Sequence, residues 1–203
     1  MRQRNLVVVS AGLSLPSSTR LLADRLSAAA VGAAEGLGVR LTVQVVELRD
    51  LAHDLMNHLL TGFPPAALKE ALDAVEAADA LIAVTPVFNG SYSGLFKSFF
   101  DVVGKDALAD KPVLMAATGG TARHSLALEH ALRPMFAYLR AVTVPTSVFA
   151  ATQDWGGDES EGQLRGRIRR ATGELAREID RREPAAVADP FVLTTSFEDL
   201  LAG

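Results

Sequence analysis

The sequence predicts an α/β fold, a doubly wound five-stranded parallel sheet with helices on both faces, and three observations carry that prediction. Short β-branched runs alternate with longer segments of helical periodicity, as in repeated βαβ units. The runs at residues 80–85 and 112–118 are apolar without interruption, as in strands buried on both faces. Polar loops rich in Ser, Thr, Gly or Asn directly follow three of the apolar runs, at the end of the strand where open parallel sheets hold their ligands.

The elements follow in order. Residues 5–10 form the first strand and 18–34 its crossover helix, closed by Gly36 and Gly38. A second strand occupies 39–47. Residues 48–65 are the least regular stretch, and the Pro64, Pro65 pair then starts a helix at 66–77. Strands at 80–85 and 112–118 are each followed by a helix, at 92–103 and 125–139. Residues 142–151 are the fifth strand, interrupted by Pro145, and 161–182 the last helix. Right-handed crossovers then give a flavodoxin-like sheet of order 2-1-3-4-5. The chain of 203 residues fits one domain, residues 1–183, with a tail at 184–203 that packs across subunits or folds back on its own domain. The linker-like segments are 154–162 and 183–190, and no internal repeat is visible.

Composition excludes several classes. Hydrophobic residues make up 49% and charged residues 22%, values of a globular chain. A formal charge of −4 gives no general attraction to a phosphate backbone, and the basic stretch 165–170 alternates with Gly, Leu and Ile as a solvated helix face does, so no nucleic acid is expected. The absence of cysteine excludes disulfides, thiolate nucleophiles and thiolate-bound metals, and it fits a cytoplasmic protein. The first apolar run, residues 6–9, is too short for a signal peptide or a membrane span.

The first loop, SAGLSLPSSTR from Ser10, sets the hydroxyls of Ser10, Ser17, Ser18 and Thr19 at a helix N-terminus, where unpaired N–H groups favour an anion. Ser and Thr also cap helices in proteins that bind nothing. The loop has neither the GxxxxGK[ST] of a P-loop nor the GxGxxG of a dinucleotide fingerprint. The second loop, Pro86, Val87, Phe88, Asn89 and Gly90, offers backbone amides, an amide side chain and two apolar groups, which suit the edge and face of a flat heteroaromatic ring. Pro-x-x-Asn-Gly is equally a turn. The third loop, Thr118, Gly119 and Gly120, lets the backbone approach a ligand closely, and is equally a simple connection.

The Ser-rich first loop, TPVFNGSYSGLFKSFFD at residues 85–101 and the Gly-Gly loop resemble, in that order, the NADPH-dependent FMN reductases, which are flavodoxin-like. The resemblance covers residues 5–150. ATGGTARHSLALEHALRPMFAYLRAVTVPTSVFA is similar to the branch that supplies reduced flavin to two-component monooxygenases. It implies that Ser10, Ser17, Ser18 and Thr19 hold the phosphate of FMN, and that residues 86–90 and 118–120 surround the isoalloxazine. It further implies hydride transfer from NADPH or NADH with no side-chain acid or base, a homodimer or homotetramer, and a flavin-dependent monooxygenase as partner. Ala11, Gly12 and Leu13 depart from the commoner Gly-Ser-x-Arg start of the first loop. A quinone or azo-compound reductase that retains FMN, and a flavodoxin-like electron carrier, would use the same loops.

Arg20 and Arg123 are the cations nearest the loop ends; each meets a nicotinamide phosphate or pairs with an acidic neighbour. His53, Asp54 and His58 lack a clear helical frame and fix no metal set, while His124 and His130 stand six apart, off one helix face. His124 borders the third loop, as a ligand contact or a cap. Phe96, Phe99, Phe100 and Val103 recur at helical spacing, as core or subunit interface.

Overall fold

The computed structural model describes residues 1–156 and 158–185. In chain order the regular elements are β1 (Arg2–Ser10), α1 (Ser18–Glu35), β2 (Val39–Glu47), α2 (Ala52–Thr61), α3 (Ala66–Ala77) and β3 (Ala80–Phe88). They continue with β4 (Ser91–Tyr92), α4 (Gly94–Val102), β5 (Pro112–Gly119), α5 (Arg133–Tyr138), β6 (Val142–Thr143), β7 (Val148–Ala151) and α6 (Asp158–Arg181). The sheet runs β2-β1-β3-β5-β6, parallel throughout, and β7 also pairs with β5. This is the expected order with two additions. A short hairpin strand, β4, lies antiparallel to the end of β3. The fifth strand is also split into β6 and β7, because Pro145 has no N–H to give to the ladder.

Alternate residues of the central strands serve opposite cores. Leu6 and Val8 of β1 face α1 and α6, packing with Leu22, Leu26, Ile168 and Leu175. Val7 and Val9 face α3, α4 and α5, packing with Leu68, Val75, Phe96 and Phe136. Strands covered on both sides need no polar alternation, which is why they read as unbroken apolar runs. Phe96, Phe99 and Phe100 belong to this second core, with Phe100 edge-on to Phe136 at 5.1 Å between ring centres.

Three expected boundaries are corrected. The stretch 48–65 contains a 3₁₀ turn, Leu48–Leu51, and then α2, which ends on Gly62 in the left-handed region (φ 77°) with its N–H on the His58 carbonyl at 2.7 Å. The expected helix at 125–139 is a 3₁₀ turn at Ala122–His124, a π-helical turn at Leu128–Leu132 and then α5. Pro134 cannot donate to the carbonyl four residues back, and the chain widens just before it. The segment 154–162 is no linker: its start belongs to a 3₁₀ turn, Thr152–Trp155, and most of the rest to α6. The tail beyond residue 185 lies outside the described residues.

Lys111, buried just before β5, donates from Nζ to the carbonyls of Val75 and Glu76 in the last turn of α3. Burial pushes its ammonium down to about 8, against the opposing pull of Glu76 and Asp79. Between pH 8 and the ordinary lysine value of 10.5, the unfolded chain still holds a proton that the folded chain has released. Raising the pH through that window therefore adds stability. The urea midpoint of the wild type is expected to rise relative to that of Lys111→Met from pH 8 to 10.5. A flat difference would mean that the folded and unfolded lysines titrate alike.

Candidate functional site

Because β1, β3, β5 and β7 are parallel, the loops after them emerge at one rim of the sheet. They enclose a cleft of about 830 Å³. Its wall takes Leu13, Ser14, Pro16, Ser17, Ser18 and Thr19 from the first loop and the start of α1, with Leu21 one turn on. Pro86, Val87 and Phe88 come from the end of β3, and Thr118, Gly119 and Gly120 from the end of β5. The three loops singled out in the sequence thus meet at one place. A separate groove of about 600 Å³ between α1 and α6, floored by Ala28, Ala29, Ala33 and Ile168, lies on the flank of the fold.

The first loop is held by its own side chains. Ser17 caps α1, its Oγ accepting from the Arg20 N–H at 3.2 Å. Gly12 passes so close beneath that a Cβ there would stand 2.1 Å from Ser17 Oγ and 3.1 Å from the Cβ atoms of Ser17 and Thr19. Thr19, buried, hydrogen-bonds Thr118 through the two hydroxyls at 2.8 Å, which fixes the first loop against the third. Ser18 is exposed at the N-terminus of α1, an 18-residue helix, where anion-seeking N–H groups are available.

The second loop is pinned from below. Thr85 Oγ1 accepts from the Ser93 N–H at 3.1 Å, and Ser93 Oγ caps α4 by accepting from the Phe96 N–H at 3.2 Å. Asn89 and Gly90 form the tip of the β3–β4 hairpin with φ of 50° and 85°, the signature of a two-residue primed turn, and they are not on the cleft wall. Phe88 stands half-exposed beside them. In the third loop a Cβ on Gly119 would lie 2.9 Å from Phe149 Cζ, so only glycine lets the backbone line the cleft there.

Ser10 is fully buried at the end of β1, off the cleft wall, and its Oγ has no hydrogen-bond partner among the described residues. Arg20 is committed elsewhere, to Glu47 and to Asp24 (2.8 Å), and those hydrogen bonds raise its pKa further. Arg123 is exposed and has no ion-pair partner among the described residues. His53, Asp54 and His58 lie on α2, a frame that the sequence reading did not see, and no group of three metal-ligating side chains occurs among the described residues. Sequence reasoning missed Thr152 and Trp155, which line the cleft from the turn after β7. The signal was the position itself, the carboxyl end of a fifth parallel strand.

Among the described residues, none on the cleft wall is ionisable. Such a wall can position a ligand through hydroxyls, main-chain amides and apolar surface, but it cannot take or give a proton at neutral pH. Redox chemistry carried by a bound group needs nothing else from it.

Comparison with known proteins agrees with this chemistry. The family model described as NADPH-dependent FMN reductase matches residues 4–156. The chain is 42% identical over 168 residues to the NADH-dependent FMN reductase SfnE of Pseudomonas putida, covering 82% of this chain and 88% of that one. It is 41% identical over 171 residues to an FMN reductase (NADPH) of Pseudomonas aeruginosa, covering 84% and 89%. Among solved structures, an oxidoreductase from Corynebacterium diphtheriae superposes with a TM-score of 0.87 at 49% identity, over 90% of this chain and all of the other. Sequence, fold and the uncharged cleft agree that the chain belongs to the NADPH-dependent FMN reductase family.

Proposed function

We propose that the cleft holds FMN with its phosphate at Ser17, Ser18, Thr19 and the first turn of α1, and its isoalloxazine between residues 86–88 and 118–120. The observation that carries this placement is a cleft wall, uncharged among the described residues, that joins the hydroxyls and helix N-terminus of the first loop to the apolar surface of Val87 and Phe88. The residues fit the group: a phosphate takes donors, and a flat ring takes Val87, Phe88 and a backbone bared at Gly119 and Gly120. When bound, the flavin accepts a hydride from NADPH or NADH, so the protein supplies placement rather than acid–base chemistry. Thr19 and Thr118 keep the two loops at a fixed separation, and Pro86 to Phe88 exclude water from one side.

A phosphate held only by neutral donors is bound less tightly than one met by Lys or Arg. The cradle therefore suits a flavin that arrives oxidised and leaves reduced, and we take its recipient to be a flavin-dependent monooxygenase. The test is oxidation of NADPH and of NADH with and without added FMN, read beside the flavin content of the purified protein. Turnover strictly dependent on free FMN is expected. Turnover with tightly copurified flavin and none added would make it a reductase that retains its flavin, and bound flavin without oxidation of either nucleotide would make it a carrier.

A further inference from the structure

The cleft continues past the proposed phosphate cradle. Its wall also takes Leu21, one turn further along α1, and Thr152 and Trp155 from the turn after β7, where Ala151 pairs with Gly119. Trp155 is the only tryptophan of the chain and is half-buried. Its ring is held in place: the Arg25 guanidinium carbon lies 5.0 Å from the ring centre. The turn that carries it is fixed as well, because the Asp154 carboxylate accepts from the Ala151 N–H at 2.8 Å and stands 3.4 Å from the Arg167 guanidinium.

An indole that carries the Arg25 cation over its ring, on the same cleft wall as Leu21 and the proposed phosphate cradle, suits a planar heteroaromatic ring joined through a phosphate. We propose that Trp155, with Leu21, is a stacking shelf for the adenine ring of a dinucleotide, and so a residue that sets which nucleotides the enzyme prefers. The inference rests on the flavin reading of the cleft. Two dinucleotides carry that chemistry, FAD taken as the flavin and the pyridine nucleotide itself.

The experiment measures KM for FMN, FAD, NADPH and reduced nicotinamide mononucleotide in wild type, Trp155→Ala and Trp155→Phe, with thermal midpoints alongside. One base–aromatic stack sets the expected effect of Trp155→Ala at about tenfold in the KM of the ligand that bears the adenine. A selective rise for FAD, with FMN within twofold of wild type and Phe restoring most of the loss, assigns the shelf to the flavin's adenine. A selective rise for NADPH, with the mononucleotide unmoved, assigns it to the pyridine nucleotide. Either result supports the shelf. Equal rises for adenine-bearing and adenine-free ligands, or no change in any KM, overturn it even if the thermal midpoint falls. A wild type that turns over no flavin at all overturns the flavin reading instead, and the shelf with it.

Discussion

A Gly119→Val enzyme is expected to stay folded at 25 °C and to lose most of its reductase activity. The smallest side chain would put its Cβ 2.9 Å from Phe149 Cζ, and that ring is 7% exposed within the core that includes Phe136 and Leu132. His124 Cβ, at 3.7 Å, is in ordinary contact, so the clash is with the Phe149 ring alone, and relieving it shifts either that ring or the third loop that lines the cleft. Overpacking of this kind costs about 1–3 kcal/mol. For a domain of this size each kcal/mol lowers the thermal midpoint by about 2–4 °C, a loss that an ordinary domain survives. Function suffers more, because a misplacement of about 1 Å at a site that works by positioning can cost about a hundredfold. We expect kcat/KM for FMN to fall about a hundredfold, with the far-ultraviolet circular dichroism unchanged. A lower midpoint with unaltered kinetics would remove the third loop from the flavin site.

The sheet was legible because its strands are buried on both faces. Residues 80–85 and 112–118 have no polar face to interrupt them, and the first pairs with β1 and the second with the first, in the parallel direction that βαβ connections impose. Helix α2 was illegible for the opposite reason. Only Leu55 is buried in it, so one turn of apolar surface never repeats, and the helix betrays itself only through its stop, Gly62 followed by Pro64. The break before α5 follows from Pro134, whose effect depends on which carbonyls the surroundings can satisfy. Among those opened by the split of the fifth strand, the carbonyl of Pro145 is met by the Arg133 guanidinium at 3.3 Å.

The same logic separates what was readable at the site. Loops that follow unbroken strands announce themselves, and three of the four walls of the cleft were found in that way. The fourth follows β7, a strand shortened by Pro145, and its Gly- and Asp-rich continuation looks like a linker until Asp154 is seen to cap the strand end. Asn89 and Gly90 are the residues of the second loop that the cleft lining leaves out. Asn-Gly between two β-prone pairs is first a hairpin signal, and the hairpin takes both residues away from the cleft wall. Ser10 shows a further limit, since its side chain faces inward at a strand end where sequence alone gives no direction.

Gly12→Ala is the second substitution expected to act strongly, and it acts through three side chains in series. The added methyl would sit 2.1 Å from Ser17 Oγ. Rotating that hydroxyl relieves the clash but removes the bond from the Arg20 N–H, and losing such a cap costs about 1 kcal/mol. Rotation does not remove the two contacts at 3.1 Å with the Cβ atoms of Ser17 and Thr19, so Thr19 is pushed as well. Its hydroxyl bond to Thr118 is then strained or broken, and a buried hydroxyl left unpaired costs about 1–3 kcal/mol more. The first loop thus loses its cap and its tie to the third loop together, and with them the placement of the hydroxyls proposed to hold the phosphate. We expect the affinity for FMN, measured by fluorescence titration, to fall at least about thirtyfold, and the urea midpoint to drop by the equivalent of about 2 kcal/mol. Gly32→Ala is the control: it lies inside α1 with nothing within 4 Å of its added methyl, and it should raise stability while leaving FMN affinity unchanged. If Gly12→Ala loses stability yet binds FMN as the wild type does, the phosphate is not held at Ser17 and Thr19, and the cradle must be sought elsewhere on the rim.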